Sequence, residues 1–223
     1  MSRQRLVIFD VDGTLCDSQD LIVAAMAGAF AAEALPCPDR GAVLAIVGLS
    51  LPVAMARLAP EHPVEVQARL VEAYKATFMT ERSRKLAPLY DGVGALIAGL
   101  SAAPDVVLGI ATGKSRKGLR LLLQGHGLEA AFATQQVADD HPSKPHPSML
   151  LAAMTETGIA PERAVMIGDT TFDVEMGRAA GIATIGVSWG YHPVAALERA
   201  GAGRIVTRAA EIPAALEHIW GQA

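Results

Sequence analysis

The sequence predicts an α/β fold: a doubly wound, Rossmann-like parallel sheet with an α-helical cap inserted after its first strand. Three observations lead there. Leu6 to Phe9 is an apolar strand that runs straight into two acids, Asp10 and Asp12, and open parallel sheets bind ligands beyond the carboxyl ends of their strands. From Asp91 onward, apolar strands and helical stretches alternate in short units, which implies parallel strands joined by right-handed crossovers. Between these two parts, residues 17–86 show helical patterning and no convincing strand. The expected organisation is a core of residues 1–16 and 87–223 and a helical cap of residues 17–86.

The elements follow in order. Because side chains alternate along a strand, Asp10 and Asp12 begin on one face, and Gly13 releases the backbone into a turn. Asp17 to Leu35 reads as a helix capped by Asp17 or Ser18, with Leu21, Ile22, Ala25, Met26 and Ala29 at a 3.6-residue period and Pro36 closing it. Pro36, Pro38, Pro52, Pro60 and Pro63 divide residues 38–80 into three or four short helices. Gly92 to Leu100 is a helix, and Val106 to Ala111 is a strand ending at Thr112, Gly113 and Lys114. Arg116 to Gln124 is a helix closed by Gly125, and a weaker strand is expected at Ala131 to Gln135. Pro147 to Thr157 is a helix; Ala164 to Ile167 is a strand ending at Gly168 and Asp169. Phe172 to Ala180 is a helix ended by Gly181, Ile182 to Val187 is a strand, and Val194 to Trp220 reads helix, short strand at Ile205 and Val206, helix.

Composition fits this class: 51% of the 223 residues are hydrophobic and 4% aromatic, which favours helix-rich α/β architecture over a β-sandwich. The net charge of −4, with no long run of one sign, leaves no footprint for nucleic acid or a membrane surface. Cys16 and Cys37 form no CxxC pair, so neither a zinc site nor a disulfide framework is expected, and a reducing compartment is the default. The apolar run before Asp10 is too short for a signal peptide core. The uncharged run Leu21 to Ala32 falls well under the roughly 20 residues of a membrane span. A soluble cytoplasmic protein is expected, as a monomer or homodimer.

Three strands end in polar groups: Asp10 with Asp12, Thr112 with Gly113, and Asp169 with Asp173 four residues on. In a parallel sheet with those strands adjacent, the ends converge. Four carboxylates in one partly desolvated cleft must either hold protons or recruit a cation. An all-oxygen set without His or Cys suits a hard ion, and Mg²⁺ is the natural choice where a phosphate shares it. Thr112 offers a hydroxyl and Gly113 an unobstructed N–H at a helix start, both donors for phosphate oxygens. Lys144, between prolines in His141 to Pro147, is a fixed cation able to offset charge on a phosphoryl group and a carboxylate nucleophile.

DVDGT at Asp10 to Thr14, ATGK at Ala111 to Lys114, Lys144 before a proline, and GDTTFDVEMGRAAG at Gly168 to Gly181 resemble, in order, the four motifs of the haloacid dehalogenase superfamily. The resemblance implies a phosphatase: Asp10 as nucleophile and Mg²⁺ ligand, Asp12 as general acid and base with its backbone carbonyl on the metal. It also implies Thr112, Gly113 and Lys144 around the phosphate, Asp169 on Mg²⁺, and Asp173 supporting from behind. The helical insertion resembles the cap of the subclass with small-molecule substrates, whose substrate-facing turn corresponds to Gly48, Leu49 and Ser50. The DGTLxDS opening, the DVEMGRAAG ending and GVSWGY at Gly186 to Tyr191 are similar to phosphoglycolate phosphatases. A β-phosphoglucomutase-type phosphomutase and a phosphoaspartate-binding regulator without turnover are the alternatives. The mutase's His after the hinge and its cap Arg are missing here, and an intact Asp12 argues against the regulator.

Other residues have plainer readings. GVSWG matches a GxSxG elbow, but the 33 residues after it leave little room for an acid and a His. Lys114 and Arg116 are expected on a solvated helix start, with contact to an anionic leaving group open. Arg82, Arg84 and Lys85 are expected to solvate the return linker, His141 and His146 to be loop residues, and Cys16 to be small and buried.

Overall fold

The computed structural model describes residues 4–221. Six parallel strands form one sheet in the order β3-β2-β1-β4-β5-β6: β1 Arg5–Phe9, β2 Val106–Thr112, β3 Thr134–Val137, β4 Ala164–Gly168, β5 Ala183–Val187 and β6 Arg204–Val206. β1 is central: Phe9 pairs with Ile110 of β2 on one side and with Ile167 of β4 on the other. That register brings the residues after β1, β2 and β4 to one edge of the sheet, as the motif spacing anticipates.

The alternation of β1 divides the core. Val7 and Phe9 pack with α5 (Val93–Ala102), α6 (Arg116–His126) and α10 (Ile212–Trp220). Leu6 and Ile8 pack on the other face with α7 (Ser148–Thr157) and α8 (Thr171–Ala179). Burial on both faces is why the strand reads as a continuous apolar run. A short α9 (Val194–Ala200) leads into β6. The inserted helices, α1 (Gln19–Ala32), α2 (Arg40–Leu44), α3 (Leu51–Leu58) and α4 (Val64–Arg84), gather around a cluster of their own that includes Ile22, Met26, Phe30, Met55, Leu70 and Tyr74. Among the described residues no helix is long and apolar enough to cross a membrane.

Several boundaries differ from the sequence reading, each for a local reason. The third strand is Thr134–Val137, and Ala131 belongs to a 3-10 turn. Its apolar alternation is masked because Thr134 and Gln136 are buried with their polar groups on Glu156. The helix expected to stop at Gly125 continues to His126 and is closed by Gly127 in the left-handed region (φ 67°). Gly125 instead faces Leu86, whose side chain a Cβ would meet at 2.8 Å. α1 begins at Gln19, and Ser18 at its cap position makes no capping bond because its hydroxyl is used elsewhere. Arg82 is not simply solvated, since it donates to the carbonyl of Leu121 on α6; the side chain of Arg84 lies outside those described.

Phe9→Ala, which empties the centre of the sheet, is expected to cost about 3–5 kcal/mol. Urea denaturation followed by far-UV circular dichroism measures it, and a loss below ~1 kcal/mol would place Phe9 outside the core.

Candidate active site

The turn after β1 is built by its backbone. Leu15 and Cys16 donate to the carbonyl of Val11, and Gly13 donates to Cys16. Gly13 has φ +86°, and a Cβ there would lie 2.2 Å from Asp169, so only glycine lets the two strand ends meet. Asp10 (1% exposed) and Asp169 (0% exposed) are buried side by side with Asp173 from the first turn of α8. One carboxylate oxygen from each lies within 4.8 Å of the others. Lys144 Nζ reaches between them, 2.9 Å from Asp10 Oδ1 and 2.7 Å from Asp173 Oδ1.

The three acids are not equivalent. Asp173 is already engaged: Oδ2 accepts from the backbone and hydroxyl of Thr170 in a capping box, while Oδ1 takes Lys144. Asp169 accepts from the Thr14 hydroxyl at 2.8 Å and from the Tyr191 N–H at 2.9 Å. Asp10 faces the Lys144 ammonium, yet neither of its buried oxygens accepts an aligned hydrogen bond. Its coordination capacity is the one left open.

Asp12 lies apart from this group, at the floor of a cavity of about 240 Å³ between sheet edge and cap. Its Oδ1 accepts from Ser18 at 2.6 Å, and its Oδ2 lies 2.9 Å from Lys114 Nζ. Thr112 and Gly113 line the same cavity. A Cβ on Gly113 would lie 2.5 Å from the Gly48 carbonyl and 2.7 Å from that of Leu49. The cap turn of Gly48, Leu49 and Ser50 thus sits against the end of β2. Ser50 N–H donates to Ser143 at 2.9 Å, and Leu49 packs with Phe172 at the start of α8.

The family of haloacid dehalogenase-like hydrolases matches residues 7–187. This chain belongs to that family. It is 38% identical to the probable phosphatase IndB of Dickeya dadantii over 93% of this chain and 91% of that one. It is 34% identical to an N-acetylmuramic acid 6-phosphate phosphatase of Pseudomonas aeruginosa, over 86% of this chain and 87% of that one. A phosphoglycolate phosphatase of Xanthomonas campestris is 31% identical over 84% of each chain. Another relative, 33% identical over 93% of this chain and 70% of its own, is named a tyrosine-protein kinase, PtkA of Mycobacterium tuberculosis. The crystal structure of a hydrolase from Pseudomonas syringae superposes with a TM-score of 0.86 at 27% identity, over 97% of this chain and 99% of that one.

The electrostatics of this hydrolase follow from burial. Desolvation pushes the Asp10 carboxyl up to about 7 against the pull of Lys144. It holds Asp169 well above the usual carboxylate range, with Asp173 and Asp10 adding repulsion. Burial alone would lower the Lys144 pKa, but Asp10 and Asp173 outweigh it and raise it. One lysine inside three carboxylates leaves excess negative charge. The oxygen-only donor set, with Asp10 unsatisfied, fits a hard divalent cation such as Mg²⁺.

Some residues of this hydrolase's site escape sequence reasoning. Lys114 is not solvated: its side chain is 8% exposed, tied to Asp12 and laid over Phe78 with Nζ 5.0 Å from the ring centroid. Arg116 does lie outside, paired with Asp140. The GVSWGY stretch forms the wall behind Asp169. Gly190 sits where a Cβ would lie 2.2 Å from that acid, Tyr191 donates to it, and Trp189 donates to the Thr14 carbonyl. The Tyr191 hydroxyl also meets Ser18 at 3.0 Å. His141 bridges Gln136 and Ser148 and so braces the loop that carries Lys144.

A carboxyl whose pKa rises on folding binds its proton more tightly in the folded state. Asp10 therefore favours the metal-free folded protein at low pH, and that contribution is lost as pH climbs from 3.8 through about 7. Thermal melts in chelator are expected to show wild type losing stability relative to Asp10→Asn across that window and levelling off above it. A difference independent of pH would contradict the burial argument.

Proposed function

We propose that this hydrolase is a Mg²⁺-dependent phosphatase acting in the cytoplasm on a small-molecule phosphomonoester through an aspartyl-phosphate. The observation that carries this reading is the contrast between the two acids of the first motif. Both line the cavity, but Asp10 is buried beside Lys144 with no aligned hydrogen bond, whereas Asp12, two residues on, is held by Ser18 and Lys114. One acid suits attack, the other proton transfer.

In this reading Asp10 attacks phosphorus, an Asp10–phosphorus bond forms, and the ester bond to the leaving oxygen breaks. Asp12 supplies the proton that the leaving oxygen takes up. Asp12 then accepts a proton from water as that water attacks phosphorus, and Asp10 is released. Thr112 and Gly113 hold non-bridging oxygens, and Lys144 offsets charge shared between phosphate and nucleophile. Asp10 and Asp169 would hold Mg²⁺ with the Asp12 carbonyl, and the bound ion would supply charge neutralisation for the phosphoryl group. Asp173, already committed to Lys144 and Thr170, orients its neighbours. The Gly48 to Ser50 turn, pressed against Gly113, closes the site from the cap side and limits water access. The phosphatase relatives support hydrolysis, and the kinase-named relative is consistent with phosphoryl transfer as the shared chemistry.

Phosphate release from p-nitrophenyl phosphate is expected to require Mg²⁺ and to vanish in Asp10→Asn. Asp12→Asn should lower kcat by about 10²–10⁴. Release that survives chelation or the Asp10 substitution would overturn the proposal. Mg²⁺ should also raise the melting temperature of wild type, and less so that of Asp169→Asn.

A further inference from the structure

The cavity above Asp10 and Asp12 has an uneven lining. Its core side carries the two acids, Thr112, Gly113, Lys114, Ser115 and Lys117. Its cap side offers Ile22, Met26, Ile46, Leu51, Phe78 and Met79 among other apolar groups, and only Tyr74 and Lys75 as polar side chains. Tyr74 and Phe78 stack, with centroids 5.7 Å apart and planes 26° from parallel, which sets two aromatic rings side by side in the cap wall. Lys75 is paired with Glu72 at 2.6 Å. Lys114 is paired with Asp12 and covers Phe78.

We infer that the leaving group taken by this site is an apolar, ring-bearing alcohol, so that arylalkyl phosphomonoesters are the preferred substrate class. The inference rests on the phosphatase reading and deepens it. A sugar would bring several hydroxyls against a wall with few partners, and each buried without one is costly. The carboxylate of a hydroxy-acid phosphate would enter beside Asp12, whose charge repels it and whose partner Lys114 is already paired, so it would have to turn to Lys117 or Lys75 at the expense of the apolar contacts. A phenyl ring loses little on desolvation and gains contact with the apolar cap side chains around Met26, Leu51, Phe78 and Met79.

The test compares 2-phenylethyl phosphate, ethyl phosphate, phosphoglycolate and glucose 6-phosphate. All four release an alkyl alcohol, so differences report the cavity more than the bond being broken. With Mg²⁺, kcat/KM for 2-phenylethyl phosphate is expected to exceed that for ethyl phosphate by about 10- to 100-fold, the gain from burying one such ring. It should also exceed those for the two hydrophilic esters. Phe78→Ser and, independently, Met79→Ser should each shrink the 2-phenylethyl to ethyl ratio at least about threefold, with melting curves showing both variants folded. Calorimetric titration of Asp10→Asn protein with the same four esters reads binding without turnover. Equal or weaker binding and turnover of 2-phenylethyl phosphate would overturn the inference and leave the phosphatase reading standing. If no ester is hydrolysed while 2-phenylethyl phosphate still binds most tightly, the cavity assignment is supported and the phosphatase reading fails. Absence of both turnover and binding preference overturns the inference.

Discussion

Excess negative charge buried at the edge of the sheet is the constraint around which this molecule is arranged. Three carboxylates, delivered by the ends of β1 and β4 and the start of α8, are buried within 4.8 Å of one another around a single lysine. Such a cluster is unfavourable unless every member is paired or protonated or shares a cation. The surrounding chain supplies partners selectively. Thr170 and Lys144 satisfy Asp173, Thr14 and the Tyr191 N–H satisfy Asp169, and Asp10 has only a share of the Lys144 ammonium. Asp10 is the acid of the three that the fold leaves with the fewest hydrogen-bond partners.

The close approaches that make this possible depend on missing side chains. Gly13 and Gly190 flank Asp169 from two directions, and a Cβ at either would fall 2.2 Å from it. Gly113 does the same for the cap, admitting the Gly48 and Leu49 carbonyls against the end of β2. The cap is therefore in register with the turn after β2, and packing of Leu49 on Phe172 ties that register to the helix that carries Asp173.

Much of this was legible in the sequence because the site sits where apolar runs stop. Asp10 and Asp169 follow, and Thr112 ends, a strand whose burial produces an unbroken hydrophobic stretch, and pairing of β1 with both β2 and β4 makes those stops adjacent. The illegible parts are those whose meaning depends on a distant partner. Ser18 resembles a helix cap until Asp12 claims its hydroxyl. Lys114 looks like a solvated residue at a helix start until Asp12 and Phe78 close over it. Trp189 reaches Thr14 across 175 residues of chain, a contact no local pattern encodes. β3 was displaced in the reading because buried polar pairs on Glu156 hide its alternation.

The account stands on Asp10 being the atom donor to both a cation and phosphorus. A crystal structure grown with Mg²⁺ and beryllium fluoride, a mimic of the phosphoryl group, tests this directly. The account predicts Mg²⁺ with Asp10 and Asp169 oxygens at about 2.0–2.1 Å, and beryllium bonded to the other Asp10 oxygen beside Thr112, Gly113 and Lys144. Metal bound away from Asp10, or fluoride adduct on any other residue, would contradict it.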